Sequence, residues 1–319
     1  MGFDAVLRRM YQRESIDTLP AHLETTYGIA IAKVTQLDVG VFRVDRSDKG
    51  TPLVARLFSA DRSYAAAEGD LAVLRYLAEL GFPAERPYGD GPLTRHAGQA
   101  VLVTEFIKQT PKAKRPPYPI VRLGAMIGRL HGLPGPAVTD RPAGALPGPA
   151  DGDRPAGALH HFAEGTLADE LRAAADWLES VEASPAVDAL RTALSSADGG
   201  DGLPEGFVHP DPVPKNVIFT ADGPVLVDWT SAGRGPRLPS MTLVLKSGWA
   251  ATPFLKGYTR VVTLTDEERA RLPALLFTRR LIDLTFRTCR APDTAPPNLK
   301  ALRQTTEAQA QTLLSSVQP

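Results

Sequence analysis

GFVHPDPVPKNVIFTADGPVLVDWTSAGRG, residues 206–235, decides how this chain is read. A short apolar run leads into His209, and Asp211 and Asn216 follow at H-x-D-x-x-x-x-N spacing. The turn pair Asp222-Gly223 folds the next two apolar segments back on each other as a hairpin, ending at Asp228 after the run VLV. A short hairpin is a rigid carrier that returns a second carboxylate beside the first. That arrangement suits phosphoryl transfer, which needs a carboxylate to orient the attacking hydroxyl and take its proton, and oxygen ligands to hold magnesium against the phosphates. Asp211 fits the first task, Asn216 and Asp228 the second. Taken singly, Asp211 and Asp228 also read as turn or capping residues and His209 as a structural histidine. The ordered set weighs against that, because the chain holds only two asparagines, Asn216 and Asn298. Composition alone puts one at the required position roughly once in 160 trials.

Upstream, residues 29–58 hold three β-rich runs, IAIAKV, VGVFRV and PLVARLF, separated by short polar segments, and predict an antiparallel meander. Residues 63–80 set Ala67, Leu71, Leu74, Leu77 and Leu80 at helical spacing and stop at Gly81. A further strand is expected over 101–106. The stretch 108–117, with Lys108, Lys112, Lys114 and Arg115 among its prolines, then breaks regular structure as a solvated loop. The expected division is an amino-terminal lobe at 1–106, a hinge at 107–117 and a mainly helical lobe at 118–319. Helices are expected at 119–132, 166–182, 185–196, 240–250, 265–290 and 299–315. DRPAGAL occurs at 140–146 and again at 153–159; a single short repeat builds no solenoid and reads as slippage in a surface loop.

The loop HPDPVPKN with its later VDW resembles the aminoglycoside phosphotransferase and choline kinase family, small-molecule kinases with a protein-kinase-like fold. The family's loop usually reads H-G-D-x-x-P-x-N with a later I-D-W, and Pro214 belongs to the match. The order of meander, helix, strand, hinge and helical lobe also follows the family. The resemblance implies an α+β, bilobal protein-kinase-like fold, an antiparallel-sheet lobe with one main helix over a mainly helical lobe. It implies Asp211 as the catalytic carboxylate, His209 as a support for the loop backbone, Asn216 and Asp228 as Mg²⁺ ligands, and ATP or GTP as phosphoryl donor.

In kinase-like folds a basic residue on the third strand neutralises nucleotide phosphates and pairs with a helix glutamate. Arg56 and Glu68 occupy those places, and an arginine there grips oxygens with a planar fork rather than a compact ammonium. Arg56 also reads as an edge-strand arginine paired with a surface carboxylate. The phosphate-covering loop would be residues 36–42, with Gly40 alone where protein kinases carry three glycines. Glu105 to Ile107 would be the hinge whose backbone reads the adenine edge, and reads equally as an ordinary strand end. Beyond Asp228 the family often begins a helix with Asp-Leu-Ala; here Ser240 stands near that place, as a helix N-cap.

Composition narrows the function classes. The 319 residues are 43% hydrophobic and 23% charged, enough for a folded chain with two cores. Thirty-six basic and 36 acidic side chains cancel, so no global field favours nucleic acid or an anionic membrane. The single Cys289, without zinc-like Cys/His spacing, fits a reducing cytoplasm. MGFDAVLRRMYQRE lacks a signal-peptide core, and no apolar run reaches bilayer length. A soluble cytoplasmic monomer or homodimer is expected, binding nucleotide and a small hydroxyl acceptor.

No Ala-Pro-Glu motif follows Asp228, which argues against a protein substrate. Residues 133–199 hold 11 acidic and 4 basic side chains. The resemblance puts the acceptor pocket on helices after the hinge, so an acidic wall of Asp169, Glu170, Asp176, Glu179 and Glu182 would attract a cationic acceptor; the same residues read equally as a solvated helix face. The expected function is ATP- or GTP-dependent phosphorylation of a hydroxyl on a small cationic molecule such as an aminoglycoside or related antibiotic. The alternatives are a metabolite kinase for choline, homoserine or a sugar, and a catalytically silent nucleotide-binding protein, suggested by Arg56 and the glycine-poor loop.

Overall fold

The computed structural model describes residues 3–4, 7–8, 12–111, 119–134, 166–291 and 297–317. The DRPAGAL repeat and the basic residues Lys112, Lys114 and Arg115 lie outside them. Strands β1 (Ile31–Asp38), β2 (Val41–Arg46), β3 (Leu53–Leu57), β4 (Leu93–His96) and β5 (Gln99–Glu105) form one antiparallel sheet in the order β1-β2-β3-β5-β4. Alternation along the strands sorts the two faces. Phe42, Val44, Leu53, Ala55, Leu57, Val101 and Val103 are buried on one face beneath helix α1 (Leu19–Tyr27), which contributes Leu19 and Leu23. Arg56, between Ala55 and Leu57, therefore projects from the other face, opposite Leu102 and toward helix α2 (Tyr64–Glu79). The Ser63 hydroxyl accepts from the Ala66 N–H and starts α2 at the expected place. Its Ala67, Leu71, Leu74 and Leu77 are buried in the larger core, while Leu80, just past its end, is exposed.

The second lobe is built from α3 (Pro119–His131), α4 (Leu167–Glu179), α5 (Pro185–Ser195), α6 (Arg237–Ser240), α7 (Thr242–Leu245), α8 (Ala251–Tyr258), α9 (Asp266–Arg290) and α10 (Leu299–Ser315). Capping boxes Thr166/Asp169 and Thr265/Glu268 start α4 and α9, and Asn298 caps α10. Helices α3 and α8 cross at backbone contact: a Cβ on Gly124 would lie 1.9 Å from the Phe254 carbonyl oxygen, and one on Gly257 1.9 Å from that of Val121. The expected helix 240–250 is instead two single turns, α6 and α7, broken before Ser247-Gly248. Ser240 ends α6, its hydroxyl donating back to the Arg237 carbonyl at 2.7 Å, and so caps no helix N-terminus.

Two small strand pairs carry the motif residues: β6 (Glu205–Val208) with β9 (Gly233–Pro236), and the hairpin β7 (Val217–Phe219) with β8 (Pro224–Leu226). The hairpin meets the first lobe. Leu226 N–H donates to Pro83 O at 3.0 Å, Thr110 N–H to Phe219 O at 2.7 Å, and Phe82 sets its ring edge-on to Trp229. Phe3, numbered within the first lobe, packs against Trp177 and Phe286 of the helical one. Among the described residues no helix is long and apolar enough to cross a membrane.

Candidate active site

Strand β6 delivers the chain to His209, which is fully buried. The Asp211 N–H donates to Nδ1 of its ring at 3.1 Å, so Nε2 carries the proton and donates to the Val227 carbonyl at 3.1 Å. His209 thereby ties the loop bearing Asp211 to the residue before Asp228. Pro210, Pro212 and Pro214 stiffen that loop, and Pro214 opens a single 3₁₀ turn through Asn216. Val213 N–H donates to Asp211 O, and Asn216 N–H to Val213 O.

The turn aims Asn216 back at Asp211. Its Nδ2 donates to the Asp211 carbonyl at 2.9 Å and to Oδ2 at 3.0 Å. Two acceptors on one side fix the amide orientation and leave the Asn216 side-chain oxygen without a partner among the described residues. Lys215 Nζ sits 3.2 Å from the same Oδ2. Asp211 is buried, and its Oδ1 has no protein partner among the described residues. Val227 N–H donates to Asn216 O at 2.9 Å, which brings Asp228 alongside Asn216.

Asp228 has φ of 68°, the left-handed region that a non-glycine residue adopts at a cost. Its N–H donates to Glu85 Oε1 at 3.0 Å, and its carboxylate accepts from Arg56 Nη1 at 2.8 Å. Arg56 and Asp228, 172 residues apart, thus join the two lobes. Burial works against the Arg56 charge, but Asp228, Glu85 and Asp70 outweigh it and hold its pKa above the usual value. Burial pushes the Glu85 carboxyl up, opposed by Arg56.

Glu68 is not the partner of Arg56. It lies two residues from Asp70, about 200° round the helix, and Asp70 is the side chain that faces the site. Asp70 Oδ2 accepts from Arg62 Nη2 at 2.6 Å and Oδ1 from the Ser231 N–H at 3.0 Å. Nothing in the sequence singles out Glu85, Asp70 and Arg62, because a lone charge in a Pro-flanked loop, on an apolar helix face or in a turn has no spacing signal.

Gly40 closes the β1–β2 turn with φ of 69°. A Cβ there would fall 2.4 Å from Leu57 O and 2.5 Å from Arg13 Nε, so glycine is required both by conformation and by space. The Arg13 Nε donates to Leu57 O at 2.8 Å, placing a second guanidinium beside Arg56; burial, and then the Arg56 charge, lower its pKa.

The phosphotransferase enzyme family matches this chain over residues 37–272, from the strand before the Gly40 turn into α9. The match takes in the His209 loop, the hairpin, Arg56, Asp70 and Glu85. The chain belongs to the phosphotransferase enzyme family. Solved structures share the fold of this phosphotransferase. An amicoumacin kinase in complex with AMP-PNP, Ca²⁺ and Ami has a TM-score of 0.60 at 17% identity, covering 97% of this chain and 96% of that one. An aminoglycoside phosphotransferase from Alicyclobacillus acidocaldarius subsp. acidocaldarius has a TM-score of 0.54 at 17% identity, covering 97% and 98%. A choline kinase from Streptococcus pneumoniae has a TM-score of 0.52 at 11% identity, covering 93% and 98%. No curated protein matches the chain. The fold is bilobal and protein-kinase-like, and the enzyme is a phosphotransferase acting on hydroxyl groups.

In this phosphotransferase the exposed Glu105 ends β5, its N–H donating to Arg86 O and that of Phe106 to Pro52 O. The Ile107 N–H has no partner among the described residues. A cavity of about 360 Å³ opens in the helical lobe, of the size that takes a small ligand. Its apolar lining is Trp177, Leu243, Ile282 and Phe286. Its lining charges are matched in number, Glu170 and Asp283 against Arg279 and Arg287: Arg279 grips Glu170 with both Nη atoms, Nη2 at 2.8 Å, Arg287 donates to the Asp283 carbonyl, and Lys246 bonds the Asp283 carboxylate at 2.5 Å. The five acidic residues of α4 and its surroundings do not gather on this cavity. Only Glu170 of the five lines it; Asp169 caps α4, Glu179 pairs with Arg191, and Asp176 and Glu182 are exposed.

Proposed function

We propose that the protein transfers the γ-phosphoryl group of ATP or GTP, with Mg²⁺, to a hydroxyl of a small molecule, a hydroxylated antibiotic or a related compound. One observation carries this reading: direct hydrogen bonds within one stiff loop hold Asn216 against Asp211, and the Val227 N–H bond to the Asn216 carbonyl brings Asp228 alongside, with Asp211 Oδ1 and the Asn216 side-chain oxygen left for ligands. Asp211 Oδ1 would receive the proton of the acceptor hydroxyl, and His209 holds the loop on which it sits. Among the described residues no cluster of three or more His, Cys, Asp or Glu suits a metal. One amide oxygen and one carboxylate nevertheless suit Mg²⁺, which keeps water and phosphate oxygens for its other positions. Bound there by Asn216 and Asp228, the ion would neutralise phosphate charge.

Arg56 supplies fixed positive charge beside Asp228, the Gly40 turn keeps bulk away from the phosphates, and the Ile107 N–H suits the adenine edge. A silent protein would not need these parts in register. Glu68 we remove from the nucleotide site, and Glu85 and Asp70 take its place around Arg56. We place the acceptor in the helical-lobe cavity. Its matched charges give no support to a polycation, and its apolar wall favours an acceptor with a ring or hydrocarbon part near the hydroxyl. Localisation in a reducing cytoplasm is supported by the single Cys289, which has no second cysteine in the chain to pair with.

The test is Mg²⁺-dependent ADP release over aminoglycosides, other hydroxylated antibiotics, amino alcohols and amino sugars, with wild type and Asp228→Ala in parallel. Acceptor-stimulated release should fall to background in Asp228→Ala while its circular dichroism stays unchanged. Equal turnover in the two proteins would sink the assignment.

A further inference from the structure

We propose that Lys215 is a further catalytic residue, a cation that the loop itself brings to the phosphoryl group in transit; the inference rests on the phosphotransferase reading above. Its place follows from the loop. The 3₁₀ turn begun by Pro214 sends residues 215 and 216 back toward Asp211, so that Lys215 Nζ and Asn216 Nδ2 converge on Oδ2 at 3.2 and 3.0 Å. Oδ2 is thereby occupied, and Oδ1 is the oxygen left for the acceptor hydroxyl.

That hydroxyl must come within hydrogen-bond reach of Asp211, roughly 2.6–3.2 Å, with the γ-phosphorus next in line. An ammonium already 3.2 Å from the same carboxylate, on a flexible four-carbon stem, then lies within reach of the phosphoryl oxygens. In the transfer the hydroxyl oxygen forms the new bond to phosphorus, and the bond from phosphorus to the bridging oxygen of the nucleotide breaks. The hydroxyl proton passes to Asp211. Lys215 makes and breaks no covalent bond; it offsets the charge on the equatorial oxygens.

The charge inventory gives it that task. Asp211, Asp228, Glu85 and Asp70 converge here, and the phosphates add more negative charge. Arg56 is bonded to Asp228, and Arg62 to Asp70 in a pair whose side chains are both 4% exposed. Lys215 is 72% exposed and bonds nothing but Asp211 among the described residues, so its head turns without breaking a buried contact. Loop stability does not account for it either. An exposed i,i+4 ion pair contributes about 0–1 kcal/mol, and the loop is already pinned by His209, Asn216 and three prolines.

The experiment uses the full chain with Mg·ATP and water as the acceptor, reading phosphate release, direct nucleotide titration and the thermal unfolding midpoint. Lys215→Ala should lower kcat at least about tenfold, less than the roughly 10²-fold or more of an enclosed donor because Lys215 is largely solvent-exposed. Nucleotide affinity should stay within about threefold and the midpoint should not move. Lys215→Arg should keep most of the rate, and ethylammonium added to Lys215→Ala should restore part of it, which a merely structural lysine would not allow. A Lys215→Ala rate within twofold of wild type, or a loss carried entirely by nucleotide affinity, overturns the inference while leaving the phosphotransferase reading intact. Wild-type release no faster than that of Asp228→Ala would bring down both.

Discussion

The two carboxylate oxygens of Asp211 have different surroundings, and that difference makes its role measurable. Oδ2 accepts from Asn216 and pairs with Lys215, whereas Oδ1 has no protein partner among the described residues. In Asp211→Asn the amide oxygen can still accept from Asn216, so the loop keeps its shape, but the NH₂ group then faces the acceptor hydroxyl and cannot take its proton. Turnover should fall at least about 10²-fold, the low end of a general-base contribution, with nucleotide affinity changed less than about fivefold. Steady-state kinetics and nucleotide titration on one preparation decide it; a proportional loss of nucleotide binding would make Asp211 a metal or structural residue. At the same scale, Asp211, Asn216 and Asp228 were legible because their spacing repeats a chemical requirement. That Asp70 and not Glu68 is the α2 carboxylate facing the site was not, because the choice depends on the rotation of α2, which the apolar spacing fixes only to within a residue or two.

The crossing of α3 and α8 makes the strongest demand of any pair of elements. With Gly124 and Gly257 on facing sides, the two backbones touch, and a methyl group at either position would meet a main-chain oxygen at 1.9 Å. Main chain does not swing aside as a side chain does. Gly124→Ala should therefore cost the upper end of an overpacking penalty, about 3 kcal/mol, and lower the unfolding midpoint in urea, while Gly132→Ala at the helix end should cost far less. Comparable midpoints in the two variants would show that the crossing can open. Elements with long apolar periods, α2, α9 and α10, are read correctly from sequence to within about two residues. Helix α1 and strand β4 escape because LPAHLETTY buries only Leu19 and Leu23, and LTRH is four residues with a charge in the middle. The pairing of β6 with β9 joins segments 25 or more residues apart through glycines, with no alternation to announce it.

Across the whole molecule, buried polar groups tie distant parts of the helical lobe, and one of them, His131, links the stability of the fold to pH. Arg279–Glu170 joins α9 to α4, and Arg237–Glu268 joins α6 to α9 with both oxygens engaged at 2.7 Å. His131, at the end of α3, is buried among Tyr258, whose hydroxyl lies 3.0 Å from Nδ1, Ser240 and the Arg237 guanidinium. Burial, and then the Arg237 charge, push its pKa from 6.5 down to about 3. The folded protein thus keeps His131 neutral at pH values where the unfolded chain protonates it. Stability from this group is complete above the unfolded value and is lost as pH falls toward the folded one, at about 1.4 kcal/mol per pH unit. Between pH 7 and 5 the loss should come to about 2 kcal/mol. His131→Gln, which keeps a hydrogen-bonding group for Tyr258 but does not titrate, should lose less by that amount over the same interval. Urea unfolding of the helical lobe, followed by circular dichroism at both pH values, isolates the effect, because the carboxylates common to the two proteins cancel in the comparison. Equal losses in wild type and variant would mean that acid enters through the buried ion pairs and not through His131.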